Sequence, residues 1–152
     1  MGNICRSPTL EGVVRERALR IGVATSFELD SAGTHGYHIG DPPDRRAVMA
    51  AARRGYDISG LRARQVCADD FHRFDLILAM DQGNYQTLHA ACPVEQRQKL
   101  GLMLDYAPVL GEKEVPDPYY GGTADFERVL DLAEAAADGL LTAFANAPVA
   151  KP

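Results

Sequence analysis

The residues best equipped for chemistry stand together at the start of the chain, in Gly2-Asn3-Ile4-Cys5-Arg6-Ser7-Pro8-Thr9. Consecutive backbone N–H groups in such a turn form a concavity that binds an anion, and a helix start behind them adds partial positive charge. Gly2, Asn3, Ile4, Cys5, Arg6 and Ser7 are therefore the candidate phosphate-binding residues. Arg6 adds a planar fork that can hold two phosphoryl oxygens at once. Gly2 permits close backbone approach, and Ser7 can cap the helix while still offering a hydroxyl to the loop. Any one of these residues alone would be explained by an ordinary strand-to-helix turn with a solvent-facing arginine. The contiguous string is what points to phosphate. It is not the nucleotide-binding loop, because no lysine follows the glycine at that spacing. A second candidate is Asp117-Pro118, which in isolation reads as the start of a turn. His35, His38, His72 and His89 lack metal-ligand spacing with cysteine or carboxylate partners, so no metal site is expected.

The elements that must position these residues alternate between helix and strand. Ser7-Pro8 reads as an N-cap followed by proline at the first helical position, and Gly22 ends the helix. Between them Leu10, Val13, Val14, Ala18 and Ile21 recur at helical spacing. Residues 27–32 read as a short strand closing at Gly33, and residues 45–54 as a helix stopped by Gly55. Asp75-Leu76-Ile77-Leu78-Ala79-Met80 is a short apolar run, expected as a buried parallel strand. Asp81 caps a helix reaching Ala91, and Leu100, Leu102 and Leu104 alternate as a strand does. Phe126, Val129, Leu130, Ala133, Ala137, Leu140, Leu141 and Phe144 form one apolar stripe of a long closing helix. This order predicts a parallel α/β sheet covered on both faces, with its ligand site at the carboxyl ends of the strands. A doubly wound sheet would also place a strand just ahead of the loop on which this chain opens.

At 152 residues the chain suits one domain, with residues 1–147 as that domain and 148–152 as a tail. Its 46% hydrophobic and 24% charged residues are the balance of a globular protein and exclude a disordered one. No apolar run approaches the ~20 residues a membrane helix needs, so no membrane insertion is expected. A net charge of -5 without an extended basic stretch gives no support to a nucleic-acid role, and none is expected. Cys5, Cys67 and Cys92 are odd in number and widely spaced, which argues against a disulfide framework and suits a reducing cytoplasm. Cys67 and Cys92 read as small, partly buried side chains.

The opening string resembles the phosphate loop of the low-molecular-weight protein tyrosine phosphatases. That family carries Cys-x-Gly-Asn-Ile-Cys-Arg-Ser-Pro after its first strand, and residues 1–8 match from the x position onward. Glu11, Asp30-Ser31-Ala32-Gly33-Thr34, Pro42-Pro43-Asp44, Arg62-Ala63-Arg64-Gln65, Asp69-Asp70-Phe71, Met80-Asp81 and Asp117-Pro118-Tyr119-Tyr120-Gly121 are similarly placed. The resemblance thus covers nearly the whole chain. It implies an α/β three-layer sandwich, a small four-stranded parallel sheet flanked by helices on both faces, whose first strand lies upstream of this chain. It also implies hydrolysis of phosphotyrosine through a cysteinyl-phosphate intermediate, with neither metal nor organic cofactor. Arg6 would stabilise the equatorial oxygens, and Asp117 would protonate the leaving tyrosine oxygen and then activate water. Glu11 and Ser31 would support the loop, while Tyr37, Tyr119 and Tyr120 would line the substrate pocket. The implied partner is a phosphotyrosine-containing protein, in bacterial relatives often an autophosphorylating tyrosine kinase.

The chain also departs from that pattern. Cys5 abuts Arg6, whereas the family keeps five residues between nucleophile and arginine, so Cys5 matches the second loop cysteine. In relatives that second cysteine can form a reversible disulfide with the nucleophile. The nucleophile position falls immediately before Met1, so the chain as printed should show little or no turnover, and the natural polypeptide is expected to begin upstream. Loss of an interior strand would strip about four buried apolar side chains of roughly 1.5–3 kcal/mol each, comparable with a domain's ~5–15 kcal/mol, so poor folding is expected. Leu61 stands where many relatives have a histidine that supports the loop. Three rival readings use the same loop. An arsenate reductase needs redox cysteines beyond Cys92, and none occurs; phosphoarginine phosphatases favour threonine at the position of Met1; a catalytically dead phosphate- or phosphotyrosine-binding module is the reading from a different class.

Overall fold

The computed structural model describes residues 1–144. Along the chain these form α1 (Arg6–Arg20), α2 (Arg45–Arg53), α3 (Asp70–Arg73), β1 (Ile77–Ala79), α4 (Gln82–Ala91), β2 (Leu100–Leu102) and α5 (Thr123–Phe144), with short 3-10 turns between them. The apolar stripe of α1 buries Val13, Val14 and Ala18 against Ala47, Ala50 and Ala51 of α2 and Phe126, Leu130 and Ala137 of α5. The other side of α5 packs Val129, Leu132 and Ala136 onto Met103 and Leu104 in the turn after β2. The long closing helix thus joins two parts of one core.

Helices α1 and α2 end the same way. Gly22 and Gly55 adopt φ values of 76° and 85°, the left-handed region open to glycine without steric cost. At the first, the Gly22 N–H donates to the Leu19 carbonyl at 3.1 Å and the Val23 N–H to that of Ala18 at 2.9 Å, which satisfies the last carbonyls of the helix. Asp44 caps α2 by accepting from the Arg46 N–H at 2.8 Å. The start of α1 differs from expectation. The helix begins at Arg6 with Cys5 as N-cap and no side-chain cap. Ser7 is not the cap because its hydroxyl is already engaged by Asn3.

The sheet is the larger difference. Strands β1 and β2 pair in parallel, Ile77 opposite Leu100 and Ala79 opposite Leu102, with α4 covering them. Among the described residues this two-stranded ladder stands where four strands were expected. Residues 27–32 are extended and alternate in exposure, with Phe27, Leu29 and Ser31 inward and Glu28 and Asp30 outward, yet they join no ladder. A strand is defined by its neighbours, and this segment has an apolar trench of about 930 Å³ beside it, bordered by Val14, Phe27, Leu29, Val66, Ile77 and Leu140. The same trench leaves Ile77 and Leu78 half-buried in place of the full burial expected. Leu104 does not extend β2, because the chain turns at Met103 and the Asp105 carboxylate accepts from the Leu102 N–H at 3.0 Å. The domain boundary at 147 and the tail at 148–152 lie outside the described residues.

Candidate active site

The opening loop is held by one side chain. Asn3 adopts φ 61°, a conformation that non-glycine residues rarely take. Its Nδ2 donates to the hydroxyls of Ser7 at 2.8 Å and Ser31 at 2.9 Å. Its Oδ1 accepts from the Arg64 N–H at 3.0 Å. Ser31 in turn donates to the buried Glu11 carboxylate at 2.6 Å. The loop is therefore tied to α1, to residues 30–31 and to residue 64 at once. With Asn3 so fixed, the amides of residues 2–7 make no hydrogen bond to another described residue. They are a row of free donors in front of the start of α1.

Arg6, only 5% exposed, ends in a cleft of about 740 Å³ bordered by Met1, Asp81, Val115 and Asp117. Its guanidinium donates to the Asp81 carboxylate at 2.7 Å and to the Val115 carbonyl at 2.8 Å. The Asp117 carboxylate lies 3.9 Å from the same guanidinium. The other Asp117 oxygen accepts from the Tyr119 N–H at 3.1 Å, so the turn expected at Asp117-Pro118 is present and aims the carboxylate at Arg6. Burial works to raise the Asp81 pKa, but the Asn84 amide and Arg6 outweigh it and hold this carboxyl below the usual range. Asp81 thus stays ionised beside the arginine near neutral pH.

Cys5 is buried, and its thiol is pushed up to about 12 by burial and by the Asp44 and Asp117 carboxylates, against the opposing pull of Arg46 and Arg6. It is a neutral thiol at physiological pH and no nucleophile. The three tyrosines stand at the rim. Tyr37 is 80% exposed and stacks on His35 with 5.5 Å between ring centroids. Tyr119 and Tyr120 meet edge to face at 5.0 Å, and the Arg46 guanidinium lies 5.6 Å from the Tyr119 ring. Cys92 is buried as expected, whereas Cys67 is exposed.

Sequence reasoning read Asp81 only as a helix cap, and it is that: its Oδ1 accepts from the Asn84 N–H at 2.7 Å. The second oxygen, free to reach Arg6, was the missed function. Arg64 was also missed, although it lay in the quoted Arg62-Ala63-Arg64-Gln65 string. Besides its amide bond to Asn3 it pairs with Asp30 at 3.0 Å and Asp70 at 2.9 Å. The Val115 carbonyl carries no sequence signal, since any residue could supply it.

Similarity to known proteins agrees with this geometry. The family described as low molecular weight phosphotyrosine protein phosphatase matches residues 1–149. A low molecular weight protein-tyrosine-phosphatase of Streptomyces coelicolor is 43% identical over 145 residues, covering 93% of this chain and 88% of its own. The crystal structure of a protein tyrosine phosphatase from Entamoeba histolytica with Hepes in the active site is 40% identical and superposes with a TM-score of 0.90, covering 93% of this chain and 90% of its own. That of YfkJ from Bacillus subtilis is 36% identical with a TM-score of 0.91, covering 97% and 92%. The α/β arrangement, the loop geometry and these matches agree: the chain belongs to the low molecular weight phosphotyrosine protein phosphatase family.

Proposed function

We propose that the protein hydrolyses phosphotyrosine in proteins, using the cysteine that the family carries immediately ahead of the position of Met1. The observation that carries the reading is that residues 2–7, with their free amides, border one space together with Asp117, Tyr119 and Tyr120, while the Arg6 guanidinium lies 3.9 Å from the Asp117 carboxylate. A phosphate monoester is a dianion near neutral pH, so its turnover needs charge neutralised on the equatorial oxygens and a proton delivered to the leaving group. The loop amides and Arg6 do the first and Asp117 the second. The thiolate sulfur attacks phosphorus as the phosphorus–oxygen ester bond breaks, and Asp117 gives its proton to the tyrosine oxygen. Asp117 then takes a proton from water, whose oxygen displaces the sulfur and releases phosphate. Asp81 and Val115 position Arg6, Asn3 with Ser31 and Glu11 keeps the amides aimed, and Tyr37, Tyr119 and Tyr120 flank the substrate ring.

In the same reading the sheet has four parallel strands, with one leading into the loop between residues 27–32 and β1. The three free cysteines suit a reducing cytoplasm. The substrate is a phosphotyrosine-containing protein, for which an autophosphorylating bacterial tyrosine kinase is a candidate. A second reading, a phosphate-binding module without turnover, draws on Cys5: with its thiol pushed up to about 12 it cannot replace the nucleophile.

The test is a chain carrying an apolar strand and a cysteine ahead of Met1, assayed on an aryl phosphate. It should turn over, and Asp117→Asn should lower its kcat by about 10²–10⁴. A wild-type rate in that variant removes Asp117 from its role. Equal turnover by a form with serine in place of the added cysteine sinks the nucleophile assignment.

A further inference from the structure

The Asp117 side chain is 40% exposed, and among the described residues its carboxylate accepts one hydrogen bond, from the Tyr119 N–H of its own turn. A carboxylate that must hand its proton to one particular oxygen therefore depends on what fixes that turn. Upstream, the Val115 N–H donates to the Met80 carbonyl at 2.8 Å, and Pro118 is fully buried. Downstream, the Gly121 N–H donates to the Pro118 carbonyl at 2.9 Å, and the Gly122 N–H to the Asp125 carboxylate at 2.7 Å. On the side of α2 the turn is fastened by one side chain, Arg46. Its guanidinium lies 5.6 Å from the centroid of the Tyr119 ring and 4.7 Å from that of Phe126, and it donates to the Gly121 carbonyl at 3.4 Å.

The other edge of the same guanidinium is locked. Its Nε donates to one Asp44 oxygen at 3.0 Å and its Nη2 to the other at 2.8 Å, a bidentate pairing. Asp44 is itself tied to the opening loop, its N–H donating to the Ile4 carbonyl at 2.8 Å. A chain of contacts thus runs from the phosphate-binding loop through Asp44 and Arg46 to the turn that carries Asp117. From this we infer that Arg46 is a positioning residue, whose fork and flat face set the distance between the phosphate held by the loop and the proton on Asp117. The inference rests on the phosphatase reading above and names what couples its two halves. With Asp117 displaced, an ester whose leaving group is as basic as tyrosine, with a pKa of about 10, loses its proton donor, whereas a dinitrophenolate leaves without one. Lysine would keep the charge but neither the fork nor the stacking plane.

The test uses the chain extended by a strand and a cysteine ahead of Met1, with Arg46→Met and Arg46→Lys, and reads kcat/KM on phenyl phosphate and on dinitrophenyl phosphate. Both variants keep the residue 46 N–H that Asp44 accepts, so their circular dichroism should be unchanged. On phenyl phosphate kcat/KM should fall by about 10–10²-fold in both, and on dinitrophenyl phosphate by less than about two-fold. Adding Arg46→Met to Asp117→Asn should cost nothing more on phenyl phosphate, because the effect passes through that carboxylate. Amide exchange at Tyr119 and Gly121 should quicken in both single variants while that of α1 stays as it was. Equal losses on the two phosphates, full activity in Arg46→Lys, multiplied losses in the double variant, or unaltered exchange at Tyr119 and Gly121 overturns the inference and leaves the phosphatase reading standing. An extended parent chain that hydrolyses neither phosphate overturns both.

Discussion

Asn3 carries the loop through a conformation that costs an ordinary L-residue about 1–2 kcal/mol, offset by three hydrogen bonds to Ser7, Ser31 and Arg64. Asn3→Ala keeps the strain and orphans those partners, so unfolding stability should fall by about 1–3 kcal/mol. Asn3→Gly loses the same bonds without the strain and should fall by less. Thermal unfolding of the two variants reads the order, and a glycine variant weaker than alanine would show that the left-handed backbone is not under load. At this scale the residues, though not their roles, were legible: the loop string in the sequence itself, and Ser31 and Asp117 through the family resemblance, which the structure brings to the loop and to Arg6. The illegible part was what anchors Arg6. Asp81 satisfies a local cap with one oxygen, which hides the second, and the Val115 carbonyl is a backbone atom delivered by the path of the chain.

Helices were legible because their stripes repeat every 3.6 residues and their ends carry glycine, a signal contained within each segment. Strands were legible only in part: β1 and β2 lie within the expected runs 75–80 and 100–104, whereas residues 27–32 have the alternation of a strand but join no ladder, because pairing depends on what lies beside a segment, which no local pattern records. Close approaches between elements were equally hidden. A Cβ built on Gly139 would overlap the Tyr106 carbonyl oxygen, so α5 rests directly on the turn after β2. A Cβ on Gly12 of α1 meets only the Ile58 side chain. Alanine favours an exposed helix interior over glycine by about 1 kcal/mol. Gly139→Ala should nevertheless destabilise, by about 1–3 kcal/mol, since backbone cannot swing aside. Gly12→Ala should cost less, because Ile58 can change rotamer. Urea midpoints measure both, and a stabilised Gly139→Ala would mean that α5 can shift off the turn without loss.

Across the whole molecule, charge enters stability through a few buried or half-buried carboxylates and less through the many surface pairs. Arg73 with Glu28 and Arg128 with Glu112 lie in solvent, where such pairs contribute little. Asp70 and Asp81 differ: burial works to raise their pKa values, yet Arg64 with the Cys67 amide, and the Asn84 amide with Arg6, outweigh it and leave both depressed. Hydrogen bonds from Arg46 depress Asp44 as well. A depressed carboxyl binds its proton less readily folded than unfolded, so between the two pKa values the unfolded chain holds more protons and stability rises with pH. The contribution is fully present above the unfolded value of about 3.9 and is lost as pH falls through the folded one. Asp70 and Asp81 tie residue 64 and Arg6 into the same loop, so acid should loosen the site and the fold together. Urea unfolding at a series of pH values from 7 to 3 should show stability declining most steeply below about pH 4. Asp70→Asn should be less stable at pH 7 and shallower in its acid decline, because the missing carboxylate can no longer be titrated. A parallel decline in that variant would place the acid-sensitive charge elsewhere in the molecule.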